Sequence, residues 1–237
     1  MLKFQQMELK DKKVLITGAS TGIGHSIALE FLKKGANLTV FGKNKPDFFC
    51  NFIKVDISKE DEIKSALKFV DKIDVLVNNA GVYKEAPITE ISTDVLNELI
   101  DVNFKGLFWM TKHSIPKIAN GGCIINIGSI AGIKNFQNLS IYSATKAAVK
   151  SLTETLALEL SSRKIRVNCI APGIVDTPLW KKSFGYESKK IISEMIDFVP
   201  LKSIGKPKEI ADAVIFVCEN NFITGSTIII DGGEAIR

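Results

Sequence analysis

Tyr142 and Lys146 stand four residues apart in a stretch with helical spacing, so their side chains project from one face. That spacing has a chemical use. A free phenol titrates near pH 10, roughly, too high for ready proton exchange at neutrality. An ammonium beside it stabilises the phenolate and lowers that pKa. General acid/base catalysis then becomes efficient, contributing on the order of 10² to 10⁴ in rate. A Tyr-x-x-x-Lys pair is common on helix surfaces, so its meaning depends on its surroundings.

A second signal is Thr17-Gly18-Ala19-Ser20-Thr21-Gly22-Ile23-Gly24, set between an apolar strand-like run and a helix. Glycines there let the backbone turn sharply and approach a pyrophosphate with no Cβ in the way. The helix that follows offers unpaired N–H groups and the positive end of its dipole to such an anion. The spacing G-x-x-x-G-x-G departs from the commoner dinucleotide fingerprint G-x-G-x-x-G.

The elements that must position these groups alternate. Val14–Thr17, Leu38–Phe41, Phe52–Val55, Val75–Asn78, Cys123–Ile127, Arg166–Ile170 and Thr227–Asp231 read as strands, several apolar on both faces. Ile23–Lys34, Asp61–Val70, Thr93–Ile118, Tyr142–Ser161 and Lys208–Glu219 carry helical spacing, with Pro207 suited to a first-turn position. Alternation implies right-handed crossovers and a doubly wound Rossmann-type α/β fold, a seven-stranded parallel sheet with helices on both faces. Between Phe41 and Phe52 the chain is too short for a crossover helix and carries Pro46, so a loop or single turn is expected. One domain over residues 1–237 is the simplest organisation.

Bulk properties narrow the classes. The 237 residues are 46% hydrophobic and 24% charged, ordinary for a globular chain. The net charge of +5 comes from scattered lysines such as Lys10, Lys12, Lys13, Lys33 and Lys34, which argues against a nucleic-acid face. Cys50, Cys123, Cys169 and Cys218 form no C-x-x-C pair and no ligand spacing with His25 or His113, so no metal is expected. Both histidines read as exposed or capping. Met1 to Lys13 is too charged for a signal peptide and no stretch reaches membrane-spanning length, so a cytoplasmic protein with reduced thiols is expected.

Further residues fall at telling places. Asn78-Asn79-Ala80-Gly81 ends the fourth strand, Asn103 lies in the next helix and Ser129 follows the fifth strand. Tyr142-Ser143-Ala144-Thr145-Lys146 opens a helix, Pro172-Gly173 follows the sixth strand, and Asp231-Gly232-Gly233 comes near the end. With the glycine loop, this set resembles the single-domain branch of the short-chain dehydrogenase/reductase family over nearly the whole chain. The resemblance implies hydride transfer between a nicotinamide dinucleotide and a carbonyl or alcohol, with the protein supplying position and polarisation. It makes Tyr142 the acid/base and has Ser129 hydrogen-bond the substrate oxygen, a contact whose loss typically costs about 10²- to 10³-fold. Lys146 would also bind the nicotinamide ribose. Asn103 would hold a water linking that lysine to solvent, and a poor helix former there points to a local irregularity.

The resemblance places Gly18, Ser20, Thr21, Gly22, Ile23 and Gly24 at the pyrophosphate, Asp56 and Ile57 at the adenine, and Asn79, Ala80 and Gly81 along the cofactor. Pro172, Gly173, Val175 and Thr177 would line the nicotinamide end, Thr177 at the carboxamide. The second strand ends without a carboxylate, and Lys43 matches a position where a cation pairs with the 2′-phosphate. Thr21 stands where many NADP-using members carry Arg or Lys. The balance favours NADP(H), with NAD(H) the alternative. Residues 173–206, containing Trp180, Phe184 and Tyr186, correspond to a substrate flap. Lys181 and Lys182 on it read as exposed. Related sequences act on 3-oxoacyl thioesters, sugars, steroids and small alcohols, and Gln137, Asn138 and Tyr83 are candidate hydrogen-bonding groups for a polyhydroxylated substrate. Kinship also implies a homotetramer or homodimer, with Ala147, Ala148, Leu152 and Leu156 on a helix that contributes to the interface. The competing reading is a catalytically silent dinucleotide sensor.

Overall fold

The computed structural model describes residues 7–237, apart from the side chains at positions 182 and 189. The first six residues, part of the segment read as too charged for a signal peptide, and the side chain of Lys182 lie outside the described residues.

Seven parallel strands form one sheet in the order β3-β2-β1-β4-β5-β6-β7. They are β1 (Lys13–Thr17), β2 (Asn37–Gly42), β3 (Asn51–Lys54), β4 (Ile73–Asn78), β5 (Ile118–Ile127), β6 (Arg166–Pro172) and β7 (Thr227–Ile230). The helices are α1 (Gly22–Lys33), α2 (Glu60–Leu67), α3 (Thr93–Ile100), α4 (Leu107–Ser114), α5 (Ser140–Glu159), α6 (Pro178–Phe184), α7 (Ser188–Ile196) and α8 (Pro207–Glu219). The doubly wound fold expected from the alternation is the fold observed. No helix crosses between β2 and β3, as the short Pro46-containing link requires.

Strand pleating divides the core. Val14, Ile16, Val75, Val77, Cys123 and Ile125 face one side, against Ile27 and Phe31 of α1 and Ile210 and Val214 of α8. Leu15, Leu76 and Ile124, the residues between them, face the other, against Ile63 of α2, Met110 of α4 and Leu156 of α5. Burying each such side chain contributes roughly 1.5–3 kcal/mol. Pro207 occupies the first turn of α8, and the Glu209 carboxylate accepts from Lys206 N at 2.7 Å.

One long helix read from the sequence is not continuous. Thr93–Ile118 divides into α3, a widened π-helical turn over Asp101–Gly106, and α4, which ends at Ser114. Pro116 lacks the N–H that would continue the helix, and Ile118 already pairs with Ile73 as the first residue of β5. The widened turn falls on Asn103, where an irregularity was expected. The flap segment is also more ordered in outline than a loop, since α6 and α7 lie within it.

Amide and hydroxyl groups cross the middle of the sheet. Asn78 Nδ2 donates to Thr111 Oγ1 at 3.0 Å and to Asn126 Oδ1 at 2.8 Å, and Asn126 Nδ2 donates to Thr153 Oγ1 at 2.9 Å. This chain ties β4 and β5 to α4 and α5. His25 pairs with Asp47 at 2.7 Å and His113 with Glu60 at 2.8 Å. Cys50 is half-buried, and Cys123, Cys169 and Cys218 are buried; all four are free. Among the described residues, no helix is long and apolar enough to cross a membrane.

Candidate active site

The sheet reverses its winding between β1 and β4, and a crevice opens beyond their carboxyl ends, where ligands of such sheets bind. Thr17 closes this junction. Its Oγ1 accepts from Asn79 N at 3.0 Å and Ala80 N at 3.1 Å. Asn79 Nδ2 answers by donating to the carbonyls of Thr17 at 3.0 Å and Gly18 at 2.9 Å. Gly18 has φ +69°, and a Cβ there would sit 2.8 Å from Cα of Ala80, so the two loops can meet only at a glycine.

Helix α1 starts behind this junction with no side-chain cap from Thr21 and no acidic residue in its first turn. Its first N–H groups, with the positive dipole end behind them, therefore face the crevice ready for an anion. The crevice is a cavity of about 550 Å³. Gly18, Ser20, Thr21, Gly22, Ile23, Gly24, Lys43, Asp56, Ile57, Asn79, Ala80 and Gly81 line one end. Ser129, Tyr142, Lys146, Pro172, Gly173, Val175 and Thr177 line the other. A glycine-lined turn beneath an uncapped helix terminus fits a dinucleotide pyrophosphate.

At the adenosine end, Lys43 Nζ lies 2.9 Å from Asp56 Oδ2. Burial alone would raise Asp56, but hydrogen bonds from Lys43 and Ser58 hold its carboxyl below the usual range. Lys43 thus lines the cavity with its ammonium already paired.

At the other end, Lys146 is buried and donates to the Ile127 carbonyl at 3.0 Å, with Nζ 5.7 Å from the centre of the Tyr142 ring. Burial pulls its ammonium down to about 8. Burial pushes the Tyr142 phenol up to about 12, with a hydrogen bond from Ser129 acting in the opposite sense. The lowered phenol expected from the sequence draws on the oxidised nicotinamide as well as on Lys146; in the protein alone burial holds the phenol above its ordinary value. Desolvation of the buried phenol is the larger cause of this rise. Ser129 Oγ accepts from Ala131 N at 3.1 Å, which orients its hydroxyl beside the phenol.

Asn103 is buried behind the site and does not line the cavity. Its Oδ1 accepts from Val82 N at 2.8 Å and its Nδ2 donates to Val82 O at 2.9 Å. A Cβ on Gly81 would lie 3.2 Å from that Oδ1 and 3.8 Å from Lys146 Nζ, so the three residues converge. One amide hydrogen and one lone pair of Asn103 remain for a water.

The substrate end differs from expectation. Tyr83 is buried edge-on against Tyr142, ring centres 5.0 Å apart, and its hydroxyl is engaged by Glu85 at 2.8 Å. Trp180 packs 5.5 Å from Tyr83, stacks on Phe184 at 5.9 Å, and donates to Val175 O at 2.7 Å. Gln137 and Asn138 do not line the cavity; their neighbours Phe136 and Leu139 do. Tyr186 and Lys181 are exposed. Glu234, absent from the sequence-based set, lines the cavity; a lone carboxylate beside Gly232-Gly233 carried no recognisable pattern. No group of three or more His, Cys, Asp or Glu among the described residues is placed to hold a metal.

The fold and this cleft define a dinucleotide-binding oxidoreductase of the doubly wound class. The family model described as Enoyl-(Acyl carrier protein) reductase matches residues 18–234. A 3-oxoacyl-(acyl-carrier-protein) reductase FabG from Thermotoga maritima is 34% identical over 97% of this chain and 100% of its own length. Among solved structures, Thermoplasma acidophilum aldohexose dehydrogenase is 35% identical with a TM-score of 0.90, covering 98% of this chain and 97% of that one. A Brucella melitensis 3-ketoacyl-(acyl-carrier-protein) reductase complexed with NADH is 32% identical with a TM-score of 0.86, covering 96% and 99%. The chain belongs to the short-chain dehydrogenase/reductase family. It is an NAD(P)-dependent oxidoreductase acting on small-molecule substrates.

Proposed function

We propose that this chain interconverts a carbonyl and its secondary alcohol, with Tyr142 as proton donor and acceptor and Ser129, Lys146 and Asn103 as its partners. The carrying observation is that Tyr142, Ser129 and Lys146 line the same cavity as the glycine turn. When bound, the reduced nicotinamide supplies the hydride. Ser129 donates a hydrogen bond to the substrate oxygen and polarises the carbonyl. Tyr142 delivers its hydroxyl proton to that oxygen as charge develops there, and regains a proton through Lys146 and the Asn103 pocket. Positive charge on Lys146 and on the oxidised nicotinamide offsets the desolvation that raises Tyr142 in the protein alone. Oxidation runs the same steps in reverse. Thr177, Val175, Pro172 and Gly173 border the nicotinamide, and residues 173–206 act as the flap of a single catalytic domain.

NADP(H) is the preferred cofactor in this reading. The second strand ends at Gly42 without a carboxylate to repel a 2′-phosphate, and Lys43 stands beside it. Asp56 tempers that preference by sharing Lys43. The working assembly is a homotetramer or homodimer. Ala147 and Leu158 are exposed on α5 and Phe108 on α4, in support of such an interface, whereas Leu156 is buried against the sheet. Free cysteines suit a cytoplasmic setting. The test is absorbance of reduced nicotinamide across a panel of alcohols and carbonyls with both cofactors. Turnover that Tyr142→Phe abolishes supports the assignment, and undiminished turnover in that variant overturns it.

A further inference from the structure

The cleft holds a carboxyl that the chemistry above does not use. Glu234 sits on the turn after β7, is 7% exposed, and lines the cavity together with Ser129, Tyr142 and Gly173. Its Oε2 accepts a long hydrogen bond of 3.4 Å from Ile174 N. No other hydrogen bond reaches the carboxylate among the described residues, and no salt bridge does. Burial holds the Glu234 carboxyl above the usual range, the Ile174 N–H acts against that rise, the Asp231 charge adds to it and the Lys134 charge opposes it. The Lys134 ammonium is nevertheless directed at main-chain carbonyls, those of Glu234 at 3.0 Å and Arg237 at 2.6 Å. Asp231 is satisfied by the N–H groups of Gly233 at 2.8 Å and Ala235 at 2.6 Å, so it neither needs nor supplies a partner. The surroundings are apolar: Ile174 belongs to the same buried cluster as Tyr83, Trp180 and Val199, with Tyr142 packed against it.

An ionised carboxylate with one long hydrogen bond, buried beside an apolar cluster, is costly unless a further donor completes it. A carboxylate accepts about four hydrogen bonds and donates none, so its complement is an N–H or O–H group. We propose that Glu234 is a specificity-determining residue whose carboxylate accepts a hydrogen bond from a hydroxyl or ammonium carried by the substrate away from its reacting carbonyl. This rests on the oxidoreductase reading of the same cleft and adds what the substrate must carry. The aromatic wall of Tyr83 and Trp180 receives the apolar part of such a molecule, and Glu234 its donor. A purely alkyl substrate leaves the carboxylate desolvated and unpaired, and an anionic one is repelled. Sites built around a hydrogen bond reject analogues lacking it far more strongly than apolar pockets reject a missing methylene.

Steady-state kinetics on three matched ring ketones decide the matter: one unsubstituted, one bearing a hydroxyl and one an ammonium at the same carbon. The wild type is expected to favour a donor-bearing ketone by about tenfold or more in kcat/KM. Glu234→Leu collapses that preference, mainly through KM. Glu234→Gln keeps an acceptor for Ile174 N–H, so it serves if the leucine variant does not fold. An amide accepts from a hydroxyl but carries no charge, so Glu234→Gln retains part of a hydroxyl preference and loses an ammonium preference. Turnover by the wild type without a donor preference overturns this inference alone, as does an equal fall on all three ketones in Glu234→Gln. A wild type inert on every ketone with both cofactors overturns the oxidoreductase reading and this inference together.

Discussion

The two ends of the cleft are built differently. The glycine-turn end is made largely of main chain, glycines and an uncapped helix terminus, with the side chains of Asn79 and Thr17 tying one loop to the other. The opposite end is made of side chains from three places: Tyr83 after β4, Trp180 on α6 with Phe184 packed behind it, and Glu234 on the last turn. A main-chain site leaves few substitutions open to it, whereas a side-chain site can be rewritten residue by residue.

The contrast can be broken at either end, and removing a reacting atom has the largest effect. Tyr142→Phe should lower turnover by about 10² to 10⁴ while nicotinamide fluorescence still reports cofactor binding. Loss of both would mean that the two ends are not separable. At the main-chain end damage comes from adding atoms. Gly18→Ala places a methyl 2.8 Å from Cα of Ala80 at φ +69°, at a cost of about 1–3 kcal/mol. Denaturant unfolding should register that loss, together with weakened binding of either cofactor.

Lys146 sharpens the comparison through pH. Its folded value of about 8 lies below the ordinary 10.5, so between these the unfolded chain binds more protons than the native one. Stability of the cofactor-free protein should therefore rise with pH from about 8 towards 9, and Lys146→Met should flatten that rise. Above about 9 the buried Cys169 thiol, pushed up to about 11, opposes the rise, and above 10 the sign reverses. Tyr142, raised to about 12, keeps its proton in the fold after the unfolded phenol has lost it. Thermal unfolding of both proteins across this range checks the slope. The smallest expected change is at the exposed corner. Lys43→Ala should weaken NADPH binding on the order of tenfold or less and leave NADH nearly unaffected, since Asp56 already shares the ammonium. Equal loss for both cofactors would remove Lys43 from cofactor choice.

Legibility in the sequence followed the same division. Strand and helix alternation is written in residue periodicity, and the glycine turn in spacing, because main-chain constraints leave few residue types that satisfy them. Asn103 betrayed an irregular turn by being a poor helix former, though the π-helical widening and the two hydrogen bonds to the Val82 main chain that accompany it are not written in the local sequence. The break at Pro116 was available in the sequence and was overridden by the apolar pattern running through to Ile118. Glu234 was not available. A single glutamate is charged surface in nearly every context, and only tertiary closure of the last turn over Ile174 buries it. The 12-like value of Tyr142 was equally hidden, because desolvation depends on which rings close over the phenol.

The amide chain from Asn78 through Asn126 to Thr153 also governs timing in space. Sliding β5 past β4 by one residue would thrust Asn126 at an alkyl neighbour and leave its amide unanswered, a misalignment the interior penalises heavily. The two strands are thereby indexed to each other like teeth on meshed gears. Asn79, one residue beyond β4, and Ser129, two residues beyond β5, then emerge at the rim together, so a lock deep in the sheet determines that the two loops meet in one cleft.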